Sequence, residues 1–139
     1  MNLLDQDEYR RWLAQAEHTL SSAERDMFAG DHAWACFKAQ QAGEYALKAL
    51  VRAAGMFAPG HSTLRIARIL RDAGFTLPDD MEKWCRELDR HYIPPRYPDA
   101  YPSGSPFEYY DRETAERAVV CASRLVQFAK GVRADGKSS

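Results

Sequence analysis

The chain is poor in the features that most often announce a chemistry. Its three cysteines, Cys36, Cys85 and Cys121, are odd in number and far apart, which argues against a disulfide framework or a paired metal knuckle. None of His18, His32, His61 and His91 forms an i, i+4 pair, and no cysteine stands at ligand spacing from them. A structural zinc site needs several convergent ligands, so none is expected. Acidic and basic residues nearly cancel, at a formal net charge of −1, which removes the strongly basic footprint of a duplex-binding protein. No glycine-rich phosphate loop is present, and no stretch approaches the ~20 apolar residues of a membrane span. The opening "MNLLDQDEYRRWL" puts acids where a secretory signal would have bases and a pure apolar run. The expectation is a soluble cytoplasmic protein of one domain, residues 1–132, with a disordered tail at 133–139.

What the chain has is helical period. Tyr9, Trp12, Leu13, Ala16, Leu20, Ala23 and Met27 recur at three- and four-residue steps, behind Asp5 as N-cap and Glu8 in a box-like pattern. A second helix is expected from about Asp31 to Ala54. Its Ala35, Ala39, Ala42, Ala46, Ala49 and Ala53 form a stripe of small side chains that lets another helix approach closely, and Gly43 reads as part of that packing surface. On another face Gln40, Glu44 and Lys48 stack, with Glu44–Lys48 expected as a solvated or interfacial ion pair. Ser62 or Thr63 suits the cap of a short third helix that Gly74 closes. Pro78 suits the first position of a fourth helix, with Met81, Trp84, Cys85, Leu88 and Tyr92 on its buried face. "SPFE" (Ser105 to Glu108) is a capping box and Asp111 a competing cap for a last long helix through Ala129. No strand alternation appears. The fold class is all-α: an up-and-down antiparallel helical bundle of four main helices with one or two short ones.

One segment breaks the pattern. "HYIPPRYPDAYPSGSP", from His91 to Pro106, holds five of the seven prolines and three of the seven tyrosines. No helix tolerates Pro94, Pro95 and Pro98 in its interior, and the same prolines present side chains at little ordering cost. Arg96 stands at its centre, and a planar guanidinium is the group for gripping phosphate or carboxylate. Tyr92, Tyr97 and Tyr101 offer flat faces on which a base could stack. The competing expectation is that the tyrosines pack on the bundle while Arg96 pairs with a carboxylate such as Asp89 or Glu44.

Several stretches together resemble the HEPN domain family (higher eukaryotes and prokaryotes nucleotide-binding). "ACFKAQQAGEYALKALVRAAG" (Ala35 to Gly55) is similar to its second-helix signature, and "GHSTLRIARIL" follows it. "LDRHYIPPRYPDAY" resembles its fourth helix and loop, and "DRETAERAVVCASRLVQF" its last helix. The resemblance implies a helical bundle that commonly dimerises and is often partnered with a minimal nucleotidyltransferase, in toxin–antitoxin or defence systems. Some members are metal-independent ribonucleases carrying an Arg, a polar residue and, a few positions on, a His. Arg96 matches that Arg, but Ala100, Tyr101, Pro102 and Ser103 stand where the His would fall. This chain resembles the "RYPD" branch, so Arg96, Tyr97 and Asp99, with Lys48 and Tyr101, are carried as nucleotide- or partner-binding candidates. No catalytic residue, metal or cofactor is assigned. The alternative is a rearranged ribonuclease site in which Arg96 works with His61 or His91 across a dimer, the His as acid or base and the Arg stabilising charge on phosphate.

Overall fold

The computed structural model describes residues 4–135, with side chains through residue 132. Five helices follow one another: α1 (Gln6–Phe28), α2 (His32–Ala53), α3 (Thr63–Asp72), α4 (Met81–Asp89) and α5 (Arg112–Asp135). Two 3-10 turns, Pro98–Ala100 and Pro106–Tyr109, punctuate the proline-rich segment, and no strand occurs among the described residues. Residues 136–139 of the expected tail lie outside the described residues.

Helix α2 is the hub and packs most extensively on α1, then on α5. All six alanines of its stripe are fully buried within the single chain, so the stripe belongs to the core. Small residues face it from the neighbouring helices: Ala16 and Ala23 of α1, and Ala115, Ala118, Ala122 and Ala129 of α5, are fully buried too. Gly43 shows how tight the approach is. A Cβ there would lie 2.8 Å from Leu88 Cδ1 and 3.0 Å from Leu125 Cδ2, which accounts for a glycine kept mid-helix at a cost of about 1 kcal/mol in propensity.

The polar ties fix direction. The Tyr9 hydroxyl donates to the Ala129 carbonyl at 2.8 Å, and Leu4 N–H donates to the Ala53 carbonyl at 2.7 Å. The start of α1 therefore meets the ends of both α2 and α5. Helix α1 runs antiparallel to each, and α2 and α5 point the same way. The short α3 and α4 and the proline-rich segment carry the chain back between them.

Helix ends follow their caps, with one displacement. Asp5 Oδ1 accepts from Glu8 N–H at 3.0 Å, and Ser62 Oγ caps α3 by accepting from Arg65 N–H at 3.1 Å. Helix α4 begins at Met81 rather than at Pro78: Met81 N–H closes a tight turn onto the Pro78 carbonyl at 3.1 Å, so the proline starts the turn before the helix. The two competing signals near α5 are both used. Ser105 and Glu108 form a capping box on the 3-10 turn, and Asp111 caps α5 through Thr114 N–H at 2.9 Å.

Asp89 joins the fold to the candidate site. From the last residue of α4 its carboxylate accepts from Thr63 N–H (2.9 Å), Leu64 N–H (3.1 Å), Thr63 Oγ1 (2.7 Å) and Ser62 Oγ (3.0 Å). A carboxylate on the orphan N–H groups of α3 is favourable for both hydrogen bonding and the helix dipole. It pins the end of α4 to the start of α3, so residues 90–97 leave from a fixed point beside His61.

Overpacking the stripe tests the core directly. Ala42→Leu is expected to cost about 1–3 kcal/mol and lower the thermal midpoint by several degrees; an unchanged melting curve would contradict the close packing described.

Candidate functional site

Past α4 the chain turns at once, with Arg96 N–H donating to the Ile93 carbonyl at 3.1 Å. The turn swings Arg96 back over α4's end and onto α2. Its Nε donates to the Tyr92 carbonyl at 2.8 Å and its Nη1 to the Tyr97 hydroxyl at 3.3 Å. The guanidinium carbon lies 4.3 Å from the ring centre of Phe37, 4.6 Å from that of Tyr92 and 4.9 Å from that of Tyr97. Each such contact is worth about 0.5–1 kcal/mol at an exposed site. Arg96 is thus held by aromatic faces and one carbonyl.

The expected carboxylate pairing does not occur. Asp89 is committed to α3, and Glu44 to Lys48 and His61. No ion pair joins Arg96 to any described residue. A guanidinium has five N–H donors, and most of those on Arg96 face no protein acceptor. The side chain is oriented while its charge is unspent.

A second cluster adjoins the first through Tyr92. The His61 ring stacks on Tyr92 with centroids 4.7 Å apart and planes 18° from parallel. His61 Nδ1 lies 3.1 Å and 3.3 Å from the two Glu44 oxygens, and its backbone carbonyl accepts from Gln40 Nε2 at 2.7 Å. Glu44 also accepts from Lys48 Nζ at 2.9 Å and from Gln41 Nε2 at 3.4 Å. Of the two expectations for Glu44–Lys48, solvated or interfacial, the solvated one does not hold: the two side chains are only 6% and 16% exposed. Burial follows because the His61 loop closes over this turn of α2. A carboxylate so placed is stabilised by three donors, and removing one strands the rest.

The remaining candidates stand as follows. Tyr97 is 47% exposed against Arg96. Lys48 is joined to the Arg96 cluster only through Glu44, His61 and Tyr92. Asp99 is exposed on the 3-10 turn Pro98–Ala100, with no hydrogen bond or ion pair to Arg96. Tyr101 turns to Tyr109, stacking at 4.1 Å and 12°. Phe37 is the residue that sequence reasoning missed. It shares a face of α2 with Gln41, Glu44 and Lys48 at steps of 4, 3 and 4, a signal the alanine stripe overshadowed. The approach of His61 to Tyr92 has no local sequence signal.

His91, the other histidine considered, is buried away from this cluster. Its Nε2 lies 3.1 Å from Glu87 and its Nδ1 3.3 Å from the Tyr110 hydroxyl. Cys36 and Cys85 are buried thiols pushed up to about 12 by desolvation, which suits packing and not nucleophilic chemistry. Among the described residues no group of His, Cys, Asp or Glu could hold a metal ion, and no helix is long and apolar enough to cross a membrane.

Burial lowers the His91 pKa below its ordinary 6.5, with the Glu87 contact opposing this. The native state therefore favours neutral imidazole. The associated stability is complete above about 6.5, the unfolded value, and is lost as pH falls from there through the lower folded value. Melting at neutral and at mildly acidic pH should show a smaller acid loss in His91→Gln than in the wild type, the difference being at most about 1.4 kcal/mol per pH unit. Equal slopes would place the acid sensitivity elsewhere.

Comparison with known proteins agrees with this architecture. A model of the HEPN domain matches residues 9–132. A crystal structure of a protein from Thermus thermophilus is 43% identical, with a TM-score of 0.85, covering 88% of this chain and 96% of the other. An archaeal HEPN homologue is 34% identical at a TM-score of 0.74, covering 88% and 95%. A HEPN domain protein from Thermotoga maritima is 33% identical at a TM-score of 0.71, covering 89% and 98%. No curated protein sequence matches the chain. With the family match spanning nearly the whole helical bundle, the chain belongs to the HEPN domain family.

Proposed function

We propose that the Arg96 face binds the phosphate of a nucleotide or of a short RNA strand, and that the protein acts as a binding module rather than as a hydrolase. One observation carries this reading: Arg96 is immobilised by three aromatic rings and a backbone carbonyl, yet no carboxylate neutralises it. A guanidinium that is already ordered loses little entropy on gripping an oxyanion. The half-exposed ring of Tyr97 offers a stacking surface next to the phosphate position. Tyr97, Trp34 at 45% exposure and Ile93 at 48% also leave apolar surface around the site. That surface suits a second copy of the chain or a minimal nucleotidyltransferase of a toxin–antitoxin-like system.

A second reading, metal-independent RNA cleavage, is favoured by a different observation. Glu44 fixes His61 through Nδ1, and Nε2 has no partner among the described residues, which is how a general base is oriented. In that chemistry His61 would take the proton of a 2′-hydroxyl, the 2′-oxygen would attack phosphorus, and the P–O5′ bond would break with the 5′-oxygen protonated by water, giving a 2′,3′-cyclic phosphate and a 5′-hydroxyl.

Thermal melting with mono-, di- and trinucleotides and short RNA separates the readings. A ligand at 100 times its dissociation constant adds about 2.7 kcal/mol to the folded state, a shift of several degrees. The binding reading predicts a shift that Arg96→Ala abolishes and His61→Gln retains, with the RNA recovered intact in the presence of EDTA. Cyclic-phosphate products that vanish in His61→Gln would establish cleavage instead. No shift with any of these ligands would leave the protein-partner surface as the site's use.

A further inference from the structure

A second concavity, of about 750 Å³, lies between α4 and α5 and shares no residue with the Arg96 cluster. Its size is within the ~300–1,000 Å³ usual for small-molecule sites. Trp84, Val120 and Cys121 form its apolar floor, and cationic side chains from both helices surround them. Val120 is 51% exposed in the middle of α5.

The cations are of two kinds. Arg86, Arg90 and Arg117 are each paired with a carboxylate three or four residues before them: Glu82 at 3.2 Å, Glu87 at 2.8 Å and Glu113 at 3.2 Å. Lys83 of α4 and Arg124 of α5 have no ion pair or hydrogen bond with any described residue. Of the carboxylates lining the groove, Glu87 is held by Arg90 and His91 and Glu116 by Arg112, leaving Asp80 at the start of α4. Two unpaired cations from different helices therefore converge over one floor. Cys121 lies within range of both: burial and the Glu87 carboxylate raise its thiol pKa, while Lys83, Arg117 and Arg124 act on it in the opposite sense. In a chain whose charges balance almost completely, most arginines find a carboxylate, so an unpaired couple facing an aromatic floor is distinctive.

We propose that this groove binds a small organic anion, its phosphate or carboxylate head between Lys83 and Arg124 and its flat apolar body on Trp84 and Val120. The charged rim supplies orientation and the floor supplies apolar burial, the division of labour usual in small-molecule sites. Neither cation supports the fold through a partner, so both can be removed without unfolding it.

Titration of the ¹⁵N-labelled protein with 1-naphthyl phosphate and 2-naphthoate tests this, with inorganic phosphate and neutral 1-naphthol as controls. The two aryl anions are expected to move the Trp84 indole and Cys121 amide signals, each control binding at least about tenfold more weakly. Whichever anion binds more tightly identifies the head group. The double variant Lys83→Met/Arg124→Met should bind at least about tenfold more weakly at unchanged melting temperature, whereas Arg96→Ala should bind normally. Equal affinity for naphthol would overturn the proposal, as would signals confined to Arg96 and Tyr97 or undiminished binding by a folded double variant. So would capture of an acidic peptide but of neither aryl anion. Should the double variant not fold, the wild-type signal map and the naphthol comparison still decide.

Discussion

Close approach to α2 is the constraint on which the rest of the structure depends. A stripe of alanines with Gly43 beside it runs along its buried surface, so neighbouring helices come within reach of its backbone, and Gly43 leaves no room for even a methyl group without displacing Leu88 or Leu125. Dispersion contacts at that density reward every neighbouring helix for lying along α2. Leu47, Leu50 and Val51 fill the rest of that buried surface, and most of the polar and aromatic side chains of α2 take the remaining faces. Phe37, Gln41, Glu44 and Lys48 line one of them, beside the chain returning from α4. The face that the core leaves over thus supplies Phe37 to Arg96.

The site's electrostatics follow from where the carboxylates go. Asp89 and Glu44 were the acids within reach of Arg96 by sequence, and both have stronger local claims. Asp89 satisfies the open end of α3, where backbone N–H groups have no other acceptor. Glu44 answers Lys48, Gln41 and His61 in a partly water-excluded setting. Aromatic faces are left to hold Arg96, and they orient a cation without cancelling its charge. The same logic applies between α4 and α5, where short-range pairing uses up Arg86, Arg90 and Arg117 and leaves Lys83 and Arg124.

The sequence was most legible where a residue's neighbour is a few positions away. The helix periods, the Ser62 and Asp111 caps and the existence of the alanine stripe are local consequences of period and side-chain size, whereas its burial inside the single chain is a property of the assembled bundle. The Pro78 signal points one turn too early, because a proline that can open a helix can equally open the turn before it. The long-range choices were harder. Nothing around Asp89 reveals that it will cap a helix begun 26 residues earlier. Whether Glu44–Lys48 is wet or buried depends on the loop carrying His61, and the stacking of His61 on Tyr92 depends on that same cap. Arg96 was legible as a candidate by residue type and setting, whereas its freedom from carboxylates was a property of the assembled fold.

The central claim is that an ordered but un-neutralised Arg96 makes this face an oxyanion site. A crystal structure of the protein with a short uridine oligonucleotide tests it most directly. The account predicts a phosphate oxygen about 3 Å from an Arg96 Nη atom, with a base resting on Tyr97 or Tyr92 and the Arg96–Tyr92 carbonyl contact retained. A phosphate bound elsewhere, or an Arg96 that swings out to pair with a protein carboxylate while the ligand ignores it, would contradict it.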